Sequence, residues 1–231
     1  MKIVIIAATV TLATAAPLLA QARHATLTDS GGYVTGLAGF ASSTANTTGD
    51  VQIEAGVRIA PHVKLFGDIG RFGNLKGDLQ PTLDATTSSL AANQGLGVIG
   101  SGRLPATYFT GGLRVDVPTR TRLTPYLLGG VGVAHLSPTP QFTFSSGTLP
   151  DGTTPDVGAD VTSTLTQVGV FTAPPASSAF MFTLGGGVQI PVAAHWEADA
   201  RYRYSRIAAD DSLSASALAA NGMTFGFGYR F

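Results

Sequence analysis

Ionisable residues recur along this chain two or four positions apart, within stretches that alternate between apolar and polar side chains. The pattern is densest where Glu197, Asp199, Arg201 and Arg203 occupy every second position. Side chains two residues apart point to the same face of a β-strand, so this spacing places acids beside bases. The same spacing elsewhere gives the full candidate set of Glu54, Arg58, Lys64, Asp68, Arg114, Asp116, Glu197, Asp199, Arg201, Arg203 and Arg230.

Two kinds of chemistry are compatible with this set. The faces could line an ion path, or their side chains could neutralise one another as a structural plug. Five acids stand against six bases, and such a near balance favours ion pairs and hydrogen bonds. Glycines on the same faces, such as Gly56, Gly70 and Gly112, leave room for arginine side chains and keep the ion path open as an alternative.

The candidates for catalysis and metal binding are sparse. His135 and Ser137 are two positions apart, the spacing of a base beside a hydroxyl nucleophile, but Pro138 follows and no orienting acid is near in sequence. The four histidines lie far apart, so no metal site is predicted. We therefore predict no catalytic residue, no cofactor and no enzymatic activity.

One glycine pattern matches a nucleotide-binding motif, and its meaning depends on the secondary structure around it. Gly95, Gly97 and Gly100 match the G-x-G-x-x-G spacing of dinucleotide sites. That spacing binds a pyrophosphate when it follows a strand and opens a helix. Here it falls in a predicted loop, so a dinucleotide is not expected.

Eight stretches share the same alternation and must position the charged faces. In 50–60, for example, Val51, Ile53 and Val57 lie opposite Glu54 and Arg58. The predicted strands are about as long as the 9–11 tilted residues that cross a bilayer as β-structure. They are 32–41, 50–60, 63–73, 106–117, 125–136, 179–190, 195–206 and 221–231.

The connections between these strands alternate between short and long. The short ones are 60–62, 118–124 and 191–194, and the long ones are 42–49, 74–105, 137–178 and 207–220, with a short helix predicted at 84–94. Short turns at one end and long loops at the other are typical of an outer-membrane barrel. We therefore predict an all-β, eight-stranded, antiparallel, up-and-down transmembrane β-barrel with long extracellular loops and short periplasmic turns.

The distribution of charge predicts which side of the barrel meets which solvent. The apolar faces carry no charge in mid-strand, and a lysine or arginine facing lipid at the midplane costs about 2–4 kcal/mol. The apolar faces are therefore expected to meet hydrocarbon, and the charged faces a lumen. Aromatic residues at the short-turn ends, Tyr126, Trp196, Tyr229 and Phe231, suit an interfacial girdle.

The amino-acid composition excludes several classes of binding site and partner. The 231 residues contain no Cys, which rules out disulfides and thiolate metal sites, and the formal net charge of zero gives no reason to expect a nucleic-acid partner. Lys2 followed by the apolar stretch 3–16 reads as a signal peptide with cleavage after Ala22. The predicted organisation is a signal peptide at 1–22, a short periplasmic segment at 23–30 and a barrel domain at 31–231.

The end of the chain carries the most specific signal. Phe225, Phe227, Tyr229 and Phe231 share one strand face in the ending FGFGYRF. With the segments PYLLGGVGVAH and ARYRYSR, it resembles the small outer-membrane β-barrel family typified by the membrane domain of OmpA and by OmpX. The resemblance implies that the barrel-assembly machinery of a Gram-negative-type bacterium recognises these four aromatic residues.

The resemblance defines location better than activity. It implies contact with outer-membrane lipid and lipopolysaccharide, and leaves a surface ligand of unknown identity open. The leading hypothesis is a non-enzymatic, plugged barrel that supports envelope integrity or surface recognition through its loops. The alternatives are a narrow porin-like channel, a lipid A-modifying barrel enzyme and a soluble secreted β-sandwich.

Overall fold

The computed structural model describes residues 31–43, 46–75, 79–208 and 217–231. Eight of its strands form a closed antiparallel barrel in which each strand pairs with its neighbour and the first pairs with the last. The barrel strands are β1 (Gly32–Ser43), β2 (Thr47–Ala60), β3 (Val63–Phe72), β5 (Ala106–Asp116), β6 (Thr124–Leu136), β8 (Ser177–Pro191), β9 (Trp196–Ile207) and β10 (Leu218–Arg230). The predicted barrel is confirmed. The predicted signal peptide and the segment 23–30 lie outside the described residues.

The two-residue period decides which side chains face inward. On β2, Glu54 is fully buried while its neighbour Ile53 is 58% exposed. On β10, Thr224 is buried while Phe225 and Phe227 are exposed. Each strand therefore presents an apolar outer face, and its inner face contributes to a filled interior.

The barrel has two distinct ends. The short connections after β2, β5 and β8 lie at one end with both barrel termini, here called the short-turn end; the other end is the long-loop end. In the tightest turn His62 has a positive φ of 64°. Neither helix among the described residues is long and apolar enough to cross a membrane.

Two of the long loops contain more structure than the sequence analysis anticipated. Helix α1 (Leu79–Gln94) extends the predicted helix, and the loops add strands β4 (Gly97–Arg103) and β7 (Thr139–Ser146) and helix α2 (Thr162–Gln167). Strands β4 and β7 pair with each other in a separate two-stranded sheet. We call this unit, residues 79–103 and 139–171, the cap. The G-x-G-x-x-G stretch lies after a helix and at the start of β4, not between a strand and a helix.

The cap has its own apolar core. Leu83, Leu165 and Phe142 are fully buried within it, and Phe142 packs edge-on against Phe171 with ring centroids 4.9 Å apart. The free edge of β4 is partly covered by the Gln80 side chain. Its Nε2 donates to the Gly100 carbonyl at 3.0 Å, and its Oε1 accepts from the Gly102 N–H at 3.3 Å.

Hydrogen bonds also fix the start of α2. The backbone and hydroxyl of Thr162 donate to Asp160 Oδ1 at 2.9 and 2.6 Å, which holds the pKa of this exposed carboxyl below its usual range. The Thr162 hydroxyl in turn accepts the N–H of Phe142 on β7 at 2.7 Å. Asp160 and Thr162 thus connect α2 to the cap sheet.

Because the cap has a separate core, it should be possible to loosen it without opening the barrel. Replacing Leu83 by Ala is expected to destabilise the cap by about 2–5 kcal/mol, since the residue is fully buried. Limited proteolysis should then cut within the cap faster, while the unboiled protein keeps its shifted mobility on a gel. Val157→Ala is the matched control, because Val157 is 77% exposed; loss of the gel shift in Leu83→Ala would contradict an independent cap.

Candidate functional site

The part of the lumen toward the short-turn end holds a network of buried charges, here called the ionic layer. Its residues are Glu54, Lys64, Asp68, Arg114, Asp116, Glu197, Asp199, Arg201 and Arg203. All except the half-buried Asp116 are buried. They come from β2, β3, β5 and β9, so the layer joins strands from around the ring.

Glu54 lies at the centre of this layer. Arg201, on the far side of the ring, grips its carboxylate in a two-pronged contact, with Nη1 at 2.6 Å from Oε2 and Nη2 at 3.0 Å from Oε1. The Tyr33 hydroxyl donates to Glu54 Oε1 at 2.7 Å. Arg201 Nε donates to the hydroxyl of Tyr126 at 2.8 Å, and that hydroxyl donates to Asp199 at 2.7 Å.

A second pair lies nearer the long-loop end. Arg203 Nη1 contacts Asp68 Oδ2 at 2.5 Å and also donates to Gln52. Its Nε donates to Thr183 at 2.6 Å, and its Nη2 donates to Thr110 at 3.1 Å. The guanidinium is therefore hydrogen-bonded on all three nitrogens, as a buried arginine requires.

A third group lies nearer the short-turn end. Asp116 accepts from Lys64 Nζ at 2.7 Å and from Arg114 Nε at 2.9 Å. The Arg114 guanidinium stacks 3.6 Å from the centre of the Tyr126 ring. Its Nη1 lies 3.9 Å from Glu54 and 3.9 Å from Asp199, at ion-pair range but beyond hydrogen-bond distance.

The remaining candidate bases lie at the short-turn mouth. Arg230 is 46% exposed on its side chain and reaches Glu197 at 3.2 Å. Arg58 is half-buried, four residues along β2 from Glu54, and its backbone N–H donates to the Gly31 carbonyl at 2.9 Å. The structure therefore brings most of the predicted set together around Glu54 and leaves Arg58 and Arg230 at the rim.

The lumen tyrosines fit because each folds over a glycine on a neighbouring strand. Tyr33 pairs with Gly56, where an added Cβ would lie 2.5 Å from the ring. Tyr126 pairs with Gly187, where a Cβ would lie 2.6 Å from the hydroxyl. Tyr108 covers Gly70 in the same way. These glycines thus make room for flat aromatic rings, beside which the arginines pack.

The prediction for Tyr126 is wrong. It was assigned to an interfacial girdle, but it is 2% exposed and points into the lumen. Its position between Thr124 and Leu128 on the inner face of β6 decides this, because the strand begins at Thr124 and residue parity fixes the face. Trp196, Tyr229 and Phe231 do face outward, and Trp196 meets Tyr229 edge-on at 5.3 Å.

The sequence analysis missed several polar partners. Asp50 is buried and accepts from the Tyr108 hydroxyl at 3.0 Å. Gln189 Nε2 donates to Glu197 at 2.5 Å and to Asp199 at 3.1 Å. The signal for Asp50 was its even spacing from Gln52 and Glu54 on β2. Gln189 and Tyr108 fall on the polar faces of their predicted strands, but an uncharged side chain gives no sign of which charged group it will contact.

Above the ionic layer, the lumen is apolar. The inward side chains at the long-loop ends of the strands form a buried hydrophobic cluster, here called the apolar layer, and Leu75 and Leu104 from a long loop close it. Its members are Ala41, Phe72, Leu75, Leu104, Ala106, Tyr108, Ala134, Leu136, Ala179, Met181, Ile207, Leu218 and Ala220. The expectation of a lumen filled by ion pairs therefore describes only its lower part.

The remaining candidate chemistry is modest. Strand β6 ends at Leu136, so Ser137 does not share its face with His135; instead His135 Nδ1 lies 3.0 Å from Ser178 Oγ on β8. This pair is exposed on the outer surface near the long-loop end. The described residues contain no group of three or more ligands able to hold a metal ion.

Comparisons place this architecture among known proteins. The family described as "Outer membrane protein beta-barrel domain" matches residues 8–231. Neisserial surface protein A is 18% identical, with a TM-score of 0.53 over 87% of this chain and 98% of that one. A major outer membrane protein from Thermus thermophilus is 12% identical, with a TM-score of 0.50 over 87% and 99%. Such identities show a shared fold, and a search of curated proteins found no match.

The Glu54–Arg201 contact gives a direct test of the ionic layer. Replacing Arg201 by Met leaves a buried carboxylate without its partner and should lower the free energy of unfolding by about 3–5 kcal/mol. Adding Glu54→Gln should restore most of that loss, because the uncompensated charge is gone. Urea unfolding in detergent micelles, followed by Trp196 fluorescence, measures both.

The matched control is Arg206→Met, which removes an exposed arginine from the same strand. It should change stability little. Equal losses in the single Arg201 variant and the double variant would show that the pair does not act as a unit.

Proposed function

The chain belongs to the outer membrane protein β-barrel domain family, and we propose that it is a non-enzymatic barrel with a closed lumen. Its role is to stabilise the envelope or to present the cap for surface recognition. A cleaved signal peptide at 1–22 exports it, the segment 23–30 and the short turns lie in the periplasm, and residues 31–231 span the outer membrane of a Gram-negative-type bacterium. The aromatic ending, from Phe225 to Phe231, is its signal to the assembly machinery.

The observation that supports the proposal is that two packed layers, one after the other along the barrel axis, block the lumen. The ionic layer fills the lower lumen with paired charges, and the apolar layer closes the upper lumen. Leu136 and Met181 in the apolar layer have no exposed surface. An ion that passed the charges would still have to shed its water to cross an apolar constriction, and such constrictions close channels by dewetting.

This arrangement argues against the narrow-channel alternative. A conducting lumen needs a continuous water-filled path, and the ionic layer alone does not supply one because the apolar layer lies in series with it. If ion pairs alone closed the barrel, an exchange of partners within the ionic layer could open a path. Because the apolar layer also closes the lumen, such an exchange alone would not let ions pass.

Single-channel recordings in planar bilayers test the closed lumen. The unchanged protein should give no conductance steps, and neither should the double variant Arg201→Met with Glu54→Gln, because the apolar layer is intact. Adding Leu136→Gly and Met181→Gly to that double variant should produce steps. Steps from the unchanged protein would favour the channel instead.

One observation favours the lipid-modifying alternative, namely the exposed contact between His135 and Ser178. A histidine activates a hydroxyl best when an acid orients it, and among the described residues no carboxylate hydrogen-bonds to His135. We expect lipid A acylation to be the same in cells that express the unchanged protein, the Ser178→Ala variant or an empty vector. A change that depends on Ser178, seen by mass spectrometry of extracted lipid A, would make the protein an enzyme.

A further inference from the structure

A pocket of about 290 Å³ opens at the short-turn mouth of the barrel, here called the mouth pocket. Tyr33, Arg58, Lys64 and Arg230 line it from the inner faces of β1, β2, β3 and β10, and His195 lines it from the turn before β9. The pocket therefore belongs to the lumen and not to the lipid-facing wall. Ligand pockets usually measure about 300–1,000 Å³, so this one suits one end of a molecule.

The charged side chains that line the mouth pocket are all basic. They are Arg58, Lys64 and Arg230. Two carboxylates lie beside the pocket, and both are already engaged. Asp116 accepts from Lys64 Nζ at 2.7 Å, and Glu197 Oε2 lies 3.2 Å from Arg230 Nε. Three bases thus stand against two acids whose side chains are only 12% and 4% exposed, which leaves the pocket positive.

The surface around the mouth pocket adds to this positive charge. The turn between β5 and β6 carries Arg120 and Arg122, and both are exposed at the short-turn end. In contrast, every exposed acidic side chain among the described residues belongs to the cap, at Asp84, Asp151, Asp156 and Asp160. The short-turn face is therefore basic, and it attracts anions from the surrounding water.

Arg230 is the base that is best placed to hold an anion. Its backbone N–H donates to the His195 carbonyl at 2.8 Å, and its own carbonyl lies 3.1 Å from His195 Nδ1, so its main chain is fixed. Its side chain is 46% exposed. Its terminal nitrogens, Nη1 and Nη2, make no hydrogen bond with the described residues. This edge of the guanidinium matches the two oxygens of a carboxylate.

The backbone of the mouth pocket favours a carboxylate over a phosphate. Phosphate sites are commonly built from several convergent backbone N–H groups. Here those groups already have partners. The Arg58 N–H donates to the Gly31 carbonyl at 2.9 Å, and Gly32 and Phe231 exchange hydrogen bonds at 3.3 and 3.0 Å. The pocket therefore offers side-chain donors, with one guanidinium edge for one planar anion.

We propose that the mouth pocket binds the carboxyl end of an acidic peptide. The terminal carboxylate lies on Arg230, with Lys64 beside it, and the acidic side chains of the peptide are attracted by Arg120 and Arg122. The ring of Phe231, 57% exposed, gives the last residue of the peptide an apolar wall. The binding does not depend on the proposed function; only the periplasmic source of the peptide rests on the proposed orientation.

Fluorescence anisotropy with the whole protein in nonionic detergent tests the proposal. The probe is a short oligoglutamate peptide with a fluorophore on its amino end, made with either a free carboxyl end or a carboxyl-terminal amide. The unchanged protein should bind the amide form about tenfold more weakly, the loss expected for one hydrogen-bonded charge contact. This comparison needs no variant, and equal affinity for the two forms would overturn the proposal.

Variants then assign the contact to Arg230. Arg230→Gln should weaken the free-acid form about tenfold and the amide form little further, because the same contact is lost in both ways. Arg122→Gln should weaken both forms equally, since it acts through long-range attraction. The matched control is Arg71→Gln, an exposed arginine near the long-loop end of β3, and it should change neither affinity.

Three further results would overturn the proposal. Equal losses for both peptide forms in Arg230→Gln would mean that Arg230 gives only general attraction. Displacement of the peptide by inorganic phosphate at a lower concentration than acetate would make the pocket a phosphate site. Displacement by phosphatidylglycerol added to the micelles would mean that a lipid head group occupies it. The unboiled gel shift checks that each variant is folded.

The orientation is tested separately by labelling. Because the chain has no Cys, Thr121→Cys places a single thiol between the two arginines of the short turn. A maleimide that cannot cross membranes should reach it only after the outer membrane is permeabilised, whereas Val157→Cys in the cap should react on intact cells. Labelling of Thr121→Cys on intact cells would overturn the periplasmic source of the peptide, and the binding in detergent would stand.

Discussion

The small bore of an eight-stranded ring is the constraint on which the rest of this structure depends. The interior of such a ring is just wide enough to be filled by side chains, so every inward residue must match those across the axis as well as those beside it. Glu54 and Arg201 illustrate this, since they lie 147 positions apart in the chain yet form a two-pronged contact. These two charges must be neutralised by another strand, because neither side chain has more than 1% of its surface exposed to solvent.

The same constraint explains the division of the lumen. Arginines need length and flat surfaces, and the pairing of Tyr33 and Tyr126 with glycines supplies both in the lower part. Toward the long-loop end the inward residues are mainly alanines and large apolar side chains such as Phe72 and Met181, and loop residues Leu75 and Leu104 complete the packing. The lower part is held by directional contacts and the upper part by dispersion and burial. The barrel thus combines two ways of filling one narrow space.

The strands and their inner and outer faces could be predicted from the sequence because both follow from residue parity. Parity places Glu54 inside and Ile53 outside whatever the partner strand does. It could not reveal which charges meet, because that depends on register across the ring. Tyr126 was misassigned because its place near a strand end was given more weight than its parity. Strands β4 and β7 were missed because they pair with each other across two loops and outside the barrel, and glycines and prolines weaken their alternation.

The pairing of β1 with β10 has a consequence for how the molecule forms. Eleven residues of β1 find their partners on the last strand of the chain. Until that strand arrives, the sheet is open and carries two unsatisfied edges, which invite pairing with other chains. Contacts between the two extremes of a chain also close slowly, since the entropy of a long loop must be lost first. The edges of β1 and β10 are therefore the parts of the unfinished barrel most open to wrong pairing until the two strands meet.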